Sequence, residues 1–181
     1  MKISHRSRAA RVLVTCAVAG ALLTGAAAGA PVAGSPTGAP AAPPAATAPH
    51  PADADEIRAL FDDWNAALAT GDPEAVADRY AADAVLEPTL SNVIRDDRAG
   101  IVDYFEHFLL QRPAGEIDES HVEPLGPYAA VDSGAYTFTL TDPATGVVTE
   151  VPARYTFVYE RDRQTGEWLI VNHHSSAMPE S

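Results

Sequence analysis

Apolar residues recur at helical spacing at Ile57, Leu60, Phe61, Trp64 and Leu68, with polar residues between them. This predicts an amphipathic helix capped by Asp53 or Asp55 and ended by Gly71. Asp72-Pro73-Glu74 then reads as a second helix start, with Val76 and Tyr80 on its inner face. The short apolar run Ala84-Val85-Leu86 predicts a first strand halted by Pro88. A third helix follows Asp96-Asp97, carries Ile101, Phe105, Phe108 and Leu109 on one side, and stops at Pro113. Beyond it the period shortens to two. Ile117 to Val122, Tyr128 to Val131 and Tyr136 to Leu140 read as strands. Asp142 to Gly146 is turn chemistry, so Val147 to Tyr159 should return as a hairpin partner. Arg161 to Gly166 is a second turn, and Trp168 to Ser175 is the last strand. Helices first, one strand, a helix, then antiparallel strands predict an α+β domain in the order ααβα followed by strands. Its curved sheet should hold the helices on its concave face and leave an open end for a pocket.

Composition separates this domain from what precedes it. Lys2, Arg6, Arg8 and Arg11 lead into the uncharged stretch Val12 to Ala28, which ends in small residues suited to signal peptidase. Residues 1–28 are therefore expected to be a signal peptide and the domain to be secreted, an uncleaved membrane anchor being the alternative. Cys16 lacks the small residue before it that lipid attachment needs. From Pro31 to Pro51, 7 of 21 residues are Pro and 7 are Ala, with no charge. Residues 29–52 thus read as an extended tether and 53–181 as one domain. Cys16 is the single cysteine, so the mature chain has neither disulfide nor thiol chemistry. Four of the 12 basic residues leave with the signal segment, so 8 arginines remain against 25 acids. That balance argues against nucleic acid and anionic membrane surfaces as partners.

Several motifs resemble one known family. Leu68-Ala69-Thr70-Gly71-Asp72 followed by Tyr80, Glu87-Pro88 with Asn92 beyond, and the aromatic helix Asp103 to Leu109 are similar to the association domain of calcium/calmodulin-dependent protein kinase II. So is the C-terminal run Gly166 to Pro179, with its Trp-x-Ile-Val, histidine-bearing strand end, Ser and Pro. The resemblance covers nearly all of 53–181. It implies the nuclear transport factor 2-like fold, a cone-shaped curved antiparallel sheet around a long first helix, and self-association into a homodimer or larger assembly. The kinase motifs and a basic calmodulin-target helix are missing from this sequence, so neither kinase activity nor calmodulin binding is expected. Some stand-alone bacterial relatives are named oxidoreductases, but this chain has no dinucleotide fingerprint. The kinase hub carries Arg beside its last His, where this chain has Ser175.

Candidate chemistry is sparse. His173 and His174 are strand neighbours pointing to opposite faces, so they cannot share a metal ion; no metal and no cofactor is expected. One should face the pocket. Ser175 and Ser176 are equally ill placed to pair with a neighbouring imidazole as nucleophiles. Arg154, in an otherwise apolar strand, is a candidate to grip a small carboxylate or phosphate if it points inward; the alternative is a salt bridge to one of the many acids. Glu87 or Asp83 could act as a general base if buried by the pocket. Trp64, Tyr80, Glu87, Arg154, His173 and His174 thus form the pocket candidates. Tyr155, Phe157 and Tyr159 share one strand face, which is expected to be the sheet's second face, away from the helices, and to need the cover of a second copy. Three functions stay open: binding of a small organic acid, pure oligomerisation, or acid-base chemistry of the isomerase, dehydratase or cyclase type.

Overall fold

The computed structural model describes residues 50–179. The predicted signal peptide and most of the tether lie outside them. Helix α1 (Ala54–Ala69) is capped by Asp53, whose side chain accepts from the Asp55 amide at 2.8 Å. It buries Ile57, Phe61, Trp64, Ala67 and Leu68 and ends where Gly71 takes φ +70°. Helix α2 (Pro73–Ala77) starts on the Asp72 cap. Strand β1 (Tyr80–Glu87) precedes helix α3 (Arg98–Phe108), which Asp97 caps through the Gly100 amide at 2.7 Å. A 3₁₀ turn (Leu109–Gln111) leads to β2 (Ala114–Pro124), β3 (Ala129–Thr141), β4 (Val148–Arg161) and β5 (Trp168–Ala177).

The five strands form one sheet in the order β1-β5-β4-β3-β2. It is curved and unclosed, and helices pack on its concave side. The last four strands are antiparallel, but β1 runs parallel to β5. Two further differences from the sequence reading have physical causes. Tyr80 opens β1 rather than lying on α2, because the Arg79 carbonyl accepts from the Ile170 amide at 2.9 Å and draws the chain into the sheet. The segments around Tyr128 and Tyr136 are one continuous strand. The join at Gly134 survives because β2 bulges between Ile117 and Glu119 beside it; a Cβ on Gly134 would stand 1.9 Å from the Glu119 carbonyl oxygen.

Alternation along β4 decides what faces the helices. Ala153, Tyr155, Phe157 and Tyr159 are buried, whereas Arg154 and Glu160 are exposed. The aromatic face therefore belongs to the core, packed against Phe61 and Trp64 of α1, and needs no second copy to cover it. Both hairpin turns use one device. Asp142 Oδ1 accepts from the amides of Ala144 and Thr145, and Asp162 Oδ1 from those of Gln164 and Thr165. Gly146 and Gly166 close them at φ +73° and +77°.

Candidate functional site

The cone has a narrow cavity at its open end. Its floor is Trp64 of α1 with His173 and Ser175 of β5. One wall is Tyr104, Phe105 and Phe108 of α3. The other is Tyr136, Phe138 and Leu140 of β3 with Val151 and Ala153 of β4. Leu86, Pro88 and Thr89 complete the lining, and the exposed Leu90 stands at the lip. Aromatic and aliphatic carbon dominates this lining, and the lining contains no Asp, Glu, Lys or Arg.

His173 reaches the inside by strand parity. It pairs with Phe157 across β4–β5, and the two rings stack with centroids 4.0 Å apart. Trp64 meets it edge-on at 5.4 Å. Behind the wall, Trp64 Nε1 donates to the Tyr80 hydroxyl at 3.0 Å, and that hydroxyl lies 2.9 Å from His173 Nδ1. Burial, helped by neighbouring His174, pushes the His173 pKa down to about 3, so the imidazole is neutral at physiological pH. Burial likewise pushes the Tyr80 phenol well above its usual range and Tyr136 up to about 12. Tyr136 donates to Ser175 Oγ, which also pairs with the Thr89 hydroxyl. His173, Tyr80 and Tyr136 are therefore each in their uncharged form at neutral pH.

Of the residues singled out from sequence, the fold unites Trp64, Tyr80 and His173 and separates the rest. His174, on the opposite parity, lies on the outer face with Nδ1 3.7 Å from Glu87 Oε2. Arg154 is exposed there too, between Ser176 and Ala135 in register, because Tyr155 and Ala153 on either side of it claim the inside. The inward guanidinium expected to hold a carboxylate is thus not in the cavity, and neither is Glu87 or the exposed Asp83 as a general base. Sequence reasoning overlooked Ser175, Tyr136 and Thr89 as pocket residues. For Ser175 the signal was present: it is two residues from His173 on a strand and so shares its face. It also stands where the resemblance places an arginine, and it leaves the chamber without a cation.

The family model described as calcium/calmodulin dependent protein kinase II association domain matches residues 53–179. A crystal structure from Xanthomonas campestris, described as an association domain of that kind, is 55% identical, covering 78% of this chain and 95% of its own, with a TM-score of 0.69. A nuclear transport factor 2-like superfamily protein from Salmonella enterica shares the fold at 17% identity, with 70% and 92% of the two chains covered and a TM-score of 0.61. A ketosteroid isomerase-like protein from Erwinia carotovora does so at 24% identity, 68% and 95% coverage and a TM-score of 0.58. No curated protein matches the chain.

Proposed function

The chain belongs to the calcium/calmodulin dependent protein kinase II association-domain family, and from that membership we propose that it is an exported domain that associates with its own copies and holds a small molecule in its cone. Export rests on the basic and apolar N-terminal pattern. The observation that carries the ligand reading is the aromatic-walled cavity, in which one buried side chain keeps an unsatisfied polar atom, His173 Nε2. Catalysis is the weaker reading. An isomerase or dehydratase of this fold needs a proton acceptor beside its substrate; this lining offers no carboxylate, and its one imidazole is a very poor base. The test is thermal unfolding of the purified chain against a panel of small neutral, acidic and phosphorylated molecules. At least one should raise the midpoint with concentration. That rise should vanish in Ala153→Leu, which fills the cavity from β4. A panel without any shift contradicts the ligand reading and leaves assembly alone.

Self-association is favoured by a separate observation. In a chain with 25 acids, the centre of the outer sheet face is uncharged: Val85, Val131, Ser133, Ala135, Thr156, Val158 and Asn172, each half-buried. The acidic β2 edge, with Glu116, Glu119 and Glu123, discourages strand addition, so association is directed to the face rather than the edge. A two-fold axis through that face would set the same patch of each copy against the other.

A further inference from the structure

The hydrogen bonds behind the cavity wall have a direction that fixes which atom faces a ligand. Trp64 Nε1 can only donate, and it donates to the Tyr80 oxygen at 3.0 Å. The Tyr80 hydroxyl makes no other hydrogen bond among the described residues, so its single proton has only His173 Nδ1, 2.9 Å away, to go to. Nδ1 is therefore the bare nitrogen of the neutral ring, and Nε2 carries the hydrogen. Nε2 is buried and has no hydrogen-bond partner, a condition that costs stability until something accepts from it. His173 lines the cavity while Tyr80 does not, which fits a ring whose Nδ1 edge is turned to Tyr80 behind the wall. Of the other polar groups of the lining, Tyr136, Ser175 and Thr89 pair with one another and Trp64 Nε1 is taken by Tyr80. The Tyr104 hydroxyl makes no hydrogen bond among the described residues but, unlike His173 Nε2, is not fully buried.

We propose that His173 Nε2–H is the recognition donor of this cavity, and that its ligand is an uncharged, largely apolar small molecule bearing one carbonyl-type acceptor rather than a carboxylate. This rests on the ligand-binding reading above. The apolar body is matched by Trp64, Phe105, Phe108 and Phe138, and by Leu90, which is 53% exposed at the lip and offers an apolar entrance. A carboxylate entering the same space would shed water and meet no cation. The nearest guanidinium in the neighbouring depression, Arg95, lies beyond the Tyr104 ring and is engaged by Ser91, Val93 and Asp103. A neutral carbonyl loses far less on desolvation and completes the relay that starts at Trp64, in which each hydrogen bond polarises the next.

Three probes with one ring size separate the possibilities on the unaltered chain: acetophenone, benzoate at neutral pH, and toluene. Acetophenone should raise the thermal midpoint in proportion to the logarithm of its concentration, toluene should raise it less, and benzoate should leave it unmoved. Difference infrared spectra should show the ketone stretch of bound acetophenone shifted to lower wavenumber than in a hydrocarbon solvent. If benzoate stabilises as much as acetophenone, the neutral-ligand inference falls while the pocket reading stands. Equal shifts from toluene and acetophenone, or an unshifted ketone stretch, remove His173 from recognition. If no probe acts, the ligand-binding reading itself fails.

Discussion

Two buried titratable residues pull stability in opposite directions with pH. His173 is held neutral by burial, with a pKa of about 3 against an ordinary 6.5. Its unfolded form takes up a proton first as pH falls, so its contribution is lost below about pH 6.5, at up to ~1.4 kcal/mol per pH unit. Asp132, 1% exposed on β3, has its pKa raised, chiefly by burial; Ser120 Oγ at 2.7 Å and the Tyr155 hydroxyl at 3.2 Å offset part of that. Its folded form is the better proton binder, so it stabilises at acid pH and that contribution disappears as pH rises through the raised value. Asp132→Asn should therefore raise the thermal midpoint at pH 7 relative to the unaltered chain, and the difference should vanish towards pH 3. A lower midpoint at pH 7 would mean that the two hydroxyl bonds outweigh desolvation. Tyr80→Phe strands both Trp64 Nε1 and His173 Nδ1, and should cost about 2–4 kcal/mol in chemical denaturation.

At the scale of elements, the bulge beside Gly134 is the most exacting contact. Gly134→Ala places a methyl group 1.9 Å from the Glu119 oxygen, and backbone cannot swing aside as a side chain can. The cost expected from urea unfolding is at least about 2 kcal/mol. Most elements were legible in the sequence because a local signal and the fold agreed. The α1 stripe, the Asp72 and Asp97 caps, and the two Asp-to-Gly turns are all short-range patterns, and the structure keeps each of them. Tyr80 and the length of β3 were not legible, because pairing with distant strands decides them: β5 captures the chain at Arg79, and a bulge on β2 accommodates Gly134. The candidate site divided along the same line. Strand alternation shows that Arg154 and Tyr155 differ in facing, but not which one is inside. The run of aromatics at Tyr155, Phe157 and Tyr159 settles it by filling the concave side, and register then carries His173 inward with Phe157 and His174 outward with Thr156.

For the whole molecule, the sheet separates two kinds of surface. The concave side forms the aromatic core and the neutral chamber, and the convex side gathers Arg154, His174 and Glu87 around an uncharged centre. Val158→Arg sets a charge in that centre without touching the core, so the proposed self-association predicts an oligomer for the unaltered chain and a monomer for the variant in sedimentation velocity at micromolar concentration, while the thermal transition stays cooperative. An unaltered sedimentation coefficient would place the contact elsewhere. Folding thus delivers an uncharged donor, His173 Nε2–H, to the end of the cone, and long-range ¹H–¹⁵N spectra of the histidine rings between pH 8 and pH 4 read that donor's tautomer and charge. The expected result is one ring that stays neutral across the range, protonated on Nε2 and bare on Nδ1. A His173 ring that titrates near pH 6.5, or carries its proton on Nδ1, would contradict it.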